Sequence, residues 1–211
     1  MLYKTLFASV FVFFSSLSYS QTIYKAQYAK FEDGKTTGTI TLEIEKKKGV
    51  STVKFNSNYE ETSFFFFKTP FKLDITATFI NNRIKKWDYT LKKRDRRQIT
   101  HRGNVEKKKV MQVIKPMRTY STKTAHCSSL GLFFIPPNPR SKTFLDLNRN
   151  KPEPQPIKLK VNRTGTIAML QTYTKKTKIS YDKFGIAVKI VQIHDDGLKT
   201  SIVRKKFSIK E

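Results

Sequence analysis

Strict alternation of apolar and polar residues is the feature that most limits what this chain can fold into. In Phe71-Lys72-Leu73-Asp74-Ile75-Thr76-Ala77-Thr78-Phe79 every odd position is apolar and every even position polar. Successive side chains on an extended strand point to opposite faces, so this segment reads as a β-strand with one dry and one wet side. The same pattern holds for Ile40, Leu42 and Ile44, and for Val53 and Phe55 through Tyr59. Near the C-terminus it recurs at Thr177, Ile179 and Tyr181, followed by a strip of Phe184, Ile186, Val188 and Ile190. A hydrophobic fraction of 38%, with 13% aromatics, supplies enough apolar surface for a core and excludes wholesale disorder.

Turn chemistry falls between these runs. Asp33-Gly34, Lys48-Gly49, Asn81-Asn82, Gly103-Asn104 and Asp196-Gly197 all contain residues that tolerate positive φ, at hairpin spacing. Successive strands are therefore expected to be antiparallel neighbours. The predicted fold is all-β: a meander of about ten to twelve strands curled into a barrel or half-barrel, with little helix. The best short helical candidate is Ser128–Ile135, with Ser128 as its cap. Six of the eight prolines lie between Pro136 and Pro156. Because proline removes ladder donors, that region reads as a loop. The expected layout is a single domain over 21–211: a first meander at about 23–114, a crossover loop at 115–156 and a second meander at 157–209.

Residues 1–20 have the order of a secretory signal peptide. Lys4 is followed by an apolar run from Leu6 to Phe14, then by Ser18 and Ser20 flanking Tyr19. The run breaks into serines well short of the ~20 apolar residues a transmembrane helix needs. Cleavage before Gln21 and an exported, periplasmic or secreted protein are the expectation, with no transmembrane segment. A single cysteine, Cys127, cannot form an internal disulfide even in an oxidising compartment.

Charge is the other strong signal, with 42 Lys+Arg against 16 Asp+Glu and a formal net charge of +26. Residues 83–109 alone hold twelve basic and three acidic side chains. On a meander these concentrate at hairpin ends, which suggests one strongly positive rim. Its candidate anion-binding residues are Lys92, Lys93, Arg94, Arg96 and Arg97, together with Lys107, Lys108 and Lys109. Such a surface favours anionic polymers and headgroups. With export, that means an anionic envelope lipid, lipopolysaccharide or acidic glycan, and peripheral membrane contact. Zinc-finger spacing, an RNP-like motif and a basic helix are all missing from the sequence, so no specific nucleic acid is expected. The run Phe64, Phe65, Phe66 and Phe67 puts two rings on each face of a strand, where a lid, a sheet dry on both sides or an apolar ligand site would shelter them. Ordinary core under a covering loop is the plainer reading.

Catalytic chemistry finds little support. The histidines are His101, His126 and His194. Adjacent residues on an extended chain point apart, so His126 cannot activate Cys127 directly. Only a remote His101 or His194 would serve such a nucleophile. His194-Asp195-Asp196-Gly197 reads as a turn before it reads as a cation site. Phosphate-binding glycine loops, nucleophile elbows and His-Glu-x-x-His are absent, so no catalytic residue, cofactor or metal is expected.

The whole layout resembles a group of exported bacterial proteins classed as domains of unknown function, of the kind numbered, in words, six-one-three-four and three-one-zero-eight. The features that carry the resemblance are the signal peptide, a first hairpin from Tyr28 to Thr39, a long meander, the short segment Ser128-Ser129-Leu130-Gly131-Leu132-Phe133-Phe134 and a C-terminal set of strands. It spans nearly all of 21–211 and implies a β-rich envelope protein without assigned catalytic residues. The basic charge departs from that pattern. Together these readings give an exported, non-catalytic protein that binds an amphiphilic or anionic envelope component. The alternatives are a scaffold or adhesion protein acting through charge alone, and a Cys127-dependent enzyme.

Overall fold

The computed structural model describes residues 21–62, 68–94, 96–106, 109–114, 118–123, 127–147 and 155–211. The expected signal peptide, residues 1–20, lies outside them, as does the Phe64–Phe67 run.

The first eight strands form the expected meander: β1 (Thr22–Glu32), β2 (Lys35–Lys47), β3 (Val50–Thr62), β4 (Lys68–Ile80), β5 (Arg83–Lys93), β6 (Arg96–Glu106), β7 (Lys109–Ile114) and β8 (Arg118–Lys123). Three very short strands follow, β9 (Cys127–Ser128), β10 (Thr143–Leu145) and β11 (Gln155–Pro156). The second meander comprises β12 (Lys158–Val161), β13 (Ile167–Gln171), β14 (Lys175–Tyr181), β15 (Ala187–His194) and β16 (Lys199–Lys210). The two meanders make one thirteen-stranded antiparallel sheet, because β16 pairs with β1 over nearly its whole length. Among the described residues β12 and β8 are not paired with each other, so the sheet curls as an open barrel with two edges. The first meander also runs past 114 into β8, and 115–156 contains strands as well as loop.

Alternation sets which way each strand faces. Ile40, Leu42 and Ile44 on β2, Val53 and Phe55 on β3, and Leu73, Ile75, Ala77 and Phe79 on β4 are all buried on the concave side. The turns at Asp33-Gly34, Lys48-Gly49 and Asn81-Asn82 have positive φ at both residues, the hairpin geometry that matches strand twist. Two expectations fail for physical reasons. Gly103-Asn104 is not a turn but lies inside β6, where a Cβ on Gly103 would be driven into the Trp87 ring packed over it. The glycine there serves close approach rather than chain reversal. The strip Phe184, Ile186, Val188, Ile190 is interrupted, since a register shift sets Tyr181 opposite Ala187. Ile186, Ala187 and Ile190 are buried while Phe184 is exposed in the preceding turn.

Side chains alone fill an eight-stranded barrel; this wider sheet is filled by its own mid-chain segment. The expected helix over Ser128–Ile135 is reduced to a single 3-10 turn, Gly131–Phe133, whose N-cap position is Leu130; Ser128 Oγ accepts the Gly131 N–H at 3.1 Å just before it. That turn is an internal plug. Phe133 meets Tyr28 and Phe55 edge-on at 5.5 and 5.2 Å, and Phe134 meets Phe79 at 4.9 Å. Behind it, β10 pairs in parallel with β9 and antiparallel with β11. The plug is locked to the wall by Asp146, which pairs with Lys175 of β14 at 3.4 Å. No helix among the described residues is long and apolar enough to cross a membrane.

Candidate functional site: two cavities divided by the plug

Consecutive hairpins of a meander lie at opposite ends of its strands. The turns at 33–34 and around Arg94 fall at one end, termed the Arg94 end; those at 48–49 and 81–82, with the end of β6 and the start of β7, fall at the other, the Asn81 end. The basic cluster of the sequence therefore does not form one rim. Lys93 pairs with Arg96 at the Arg94 end, whereas Lys109 pairs with Glu106 at the Asn81 end. Lys92 and Lys93 are half-buried and Arg94 and Arg96 exposed. Arg97 lies within β6 and Lys109 opens β7, while Lys107 and Lys108 lie outside the described residues.

At the Arg94 end the plug leaves an interior cavity of about 320 Å³, within the range of small-molecule sites. Its wall is mostly apolar: Ile40, Phe55, Ile75 and Ile202 from the sheet, Leu132 and Phe133 from the plug. Thr177 also lines it, with its hydroxyl buried and without a hydrogen-bond partner. The cations at this cavity are already compensated, Lys30 by Glu32 at 2.8 Å and Lys175 by Asp146.

Tyr59 forms a shared wall between this cavity and a groove of about 480 Å³ that contains Lys92, Arg94, Lys72 and Phe71. Its ring stacks on Phe71 at 5.4 Å, and the Lys30 ammonium sits 4.4 Å from the ring centroid. Burial, helped by the Glu61 and Glu32 carboxylates, pushes the Tyr59 phenol up to about 12, so it remains a neutral hydrogen-bonding group. The apolar interior and two of the predicted anion-binding residues thus meet across one aromatic side chain. Alternation alone does not reveal this link, because it depends on how far the sheet curls.

On the opposite side of the plug, at the Asn81 end, lies a larger cavity of about 680 Å³. Phe79, Ile84, Ile135 and Pro136 contribute its apolar part, and Arg83, Arg140 and Arg163 reach it from three separate segments. None of these arginines stood out in the sequence as a group, since they are 57 and 23 residues apart along the chain.

The nucleophile candidate is poorly served. Cys127 is half-buried and donates to the Thr143 carbonyl at 3.5 Å; burial pushes its thiol up to about 12. His101 is buried, accepts a hydrogen bond at Nδ1 from Trp87 Nε1–H at 3.3 Å and stacks on Tyr89 at 4.1 Å. Desolvation pulls it down to about 4 against the opposing influence of its hydrogen bond with the Leu147 backbone. It ties wall to plug and makes neither bond to Cys127. His194 closes β15 and its carbonyl accepts the Gly197 N–H, the turn the sequence suggests. His126 lies outside the described residues, and no group of three metal-ligating side chains occurs among those described.

Fold and site together define an open β-barrel, plugged from within and carrying ligand-sized cavities on both sides of the plug. No family model matches the chain, and no curated protein does. Among solved structures it is similar to the crystal structure of a β-barrel-like protein of the domain of unknown function DUF1849 from Brucella abortus, with a TM-score of 0.66 and 11% identity. The match covers 90% of this chain and 98% of that one. At this identity the likeness is one of fold.

Proposed function

We propose that the protein is an exported, non-catalytic binding protein for an amphiphilic anionic component of the cell envelope, a lipid, lipopolysaccharide or acidic glycolipid. The apolar part of the ligand occupies the 320 Å³ interior cavity, and its anionic head meets Lys92 and Arg94 in the groove beyond Tyr59. The observation that carries this reading is that shared Tyr59 wall, which puts apolar volume within reach of Lys92 and Arg94, neither of which makes an ion pair among the described residues. The buried, unpartnered Thr177 hydroxyl supports it too, since a buried polar group without a partner is costly unless a ligand or water satisfies it. A protonated Cys127 thiol and a His101 committed to structural bonds support a non-catalytic role.

The test is native mass spectrometry of protein purified from the cells that make it, at low and high salt. A stoichiometric acyl-bearing species that survives high salt is the expected result. Ser57→Leu, which fills the cavity from β3, should reduce its occupancy. Bare protein that collects anionic lipid only at low salt would sink the cavity reading and leave a scaffold acting through surface charge.

A further inference from the structure

The cavity at the Asn81 end has a different chemistry from the interior one. Its side chains come from three places: Asn81, Asn82 and Arg83 at the β4–β5 turn, Asn138 and Arg140 in the proline-rich loop, and Asn162 and Arg163 in the β12–β13 turn. Among the described residues no aspartate or glutamate lines it. Among the described residues Arg83, Arg140 and Arg163 make no ion pair, whereas Lys30 and Lys175 at the interior cavity each have a carboxylate. Three arginines that line one cleft with no ion pair among the described residues carry like charge that a multivalent anion can offset.

The loops that carry the arginines are braced. Asn138 Oδ1 accepts the Arg140 N–H at 2.9 Å, which fixes the loop at the point where the guanidinium leaves it. The Asn162 side chain accepts the Ile167 N–H at 2.9 Å and donates to Thr164 and Thr166 at 2.8 and 3.1 Å, closing the turn that bears Arg163. Asn81 and Asn82 hold positive φ in a tight turn, and the Asn81 N–H donates to Gly49 at 3.1 Å. Two of the asparagines are thus consumed in positioning the backbone, and the guanidinium groups remain as the recognition elements. Guanidinium forks match phosphate oxygens in bidentate pairs, and three of them suit a dianion better than a lone carboxylate.

Phe79, Ile84, Ile135, Pro136 and Val161 add apolar surface to the wall, beside Cys127, Ser128 and Ser141, for a non-ionic body next to the anion. A volume of about 680 Å³ exceeds what a bare inorganic ion fills.

From this we propose a second binding site, specific for a phosphate monoester, formed by Arg83, Arg140 and Arg163 at the Asn81 end, with the organic part of the ligand against the Phe79–Pro136 surface. It does not rest on the interior site. The two cavities lie on opposite faces of the plug and toward opposite ends of strands of 11 to 13 residues, a length of roughly 36–43 Å at 3.3 Å per residue.

Isothermal titration with three probes tests it: dihexanoyl phosphatidic acid, glucose 1-phosphate and inorganic phosphate. The first two should bind, and each of Arg83→Gln, Arg140→Gln and Arg163→Gln should weaken them by about tenfold. Arg102→Gln removes an exposed cation that pairs with Asp88 on the outer face, and should leave binding unchanged. Tighter binding of the phosphatidic acid assigns a lipid headgroup, and tighter binding of the sugar phosphate assigns a soluble ligand; both support the site. Ser57→Leu should not alter either titration, which separates this site from the interior one. All three residues are exposed, so their loss should not unfold the chain, as circular dichroism would check. Binding by the triple Gln variant within about twofold of the parent, no binding of either ester, or inorganic phosphate binding as tightly as both esters overturns the proposal.

Discussion

His101 gives the structure a definite response to acid. Its imidazole is 1% exposed, stacked on Tyr89, and bonded on one side to Trp87 and on the other to the Leu147 backbone. Burial lowers its pKa from the ordinary 6.5 to about 4. In the unfolded chain the histidine takes up a proton as pH falls through 6.5, while in the folded chain it stays neutral until about 4. The stabilisation is therefore fully present above 6.5 and is lost as pH falls between those two values. At about 1.4 kcal/mol per pH unit, that interval is worth ~3 kcal/mol, a large share of the 5–15 kcal/mol typical of a domain. The perturbation is His101→Gln, which keeps an oxygen for the Trp87 N–H and cannot ionise. Urea unfolding of parent and variant at about pH 7.5 and 4.5 separates this term from the carboxylates, which both proteins share. The parent should lose about 2.5 kcal/mol more than the variant over that range. Equal losses in the two proteins, within ~0.5 kcal/mol, would refute the claim that a buried neutral imidazole joins wall to plug.

Other consequences are open to direct measurement. Phe133→Ala should cost about 3–5 kcal/mol in chemical denaturation, because the ring is buried against Tyr28 and Phe55 and its loss leaves a cavity. Gly103→Ala should destabilise by at least ~1–3 kcal/mol through overpacking against Trp87; a neutral result would show that β6 is not pressed onto that ring. Cys127 should react with iodoacetamide near pH 7 much more slowly in the folded than in the urea-unfolded protein, since its thiol is pushed up to about 12. Rapid alkylation of the folded chain would revive the nucleophile reading.

The unequal legibility of these features has a local cause. Val53, Phe55, Ile75 and Phe79 announce their buried face because strand periodicity is a property of adjacent residues. Ser128 announces its bond to the Gly131 N–H for the same reason, its partner being three residues away. Gly103 reads as a turn residue in the sequence because glycine serves both turns and close approaches, and only the position of Trp87 distinguishes them. The interrupted strip after Tyr181 needed one register shift that no local pattern displays.

By itself, then, the sequence determined an all-β antiparallel meander, the inward face of most strands, most of the hairpin turns and the excess of positive charge. The tertiary structure alone decided that β16 closes on β1, that Leu130–Phe134 turns inward as a plug, and that the sheet remains open between β12 and β8. It also divided the basic cluster between opposite ends of the sheet and gathered Arg83, Arg140 and Arg163 around one cleft. The physical reason is range. Alternation and turn conformation are fixed by neighbours along the chain, whereas the curl of a sheet wider than its own side chains can fill, and the segment that fills it, are fixed by contacts between residues far apart in sequence.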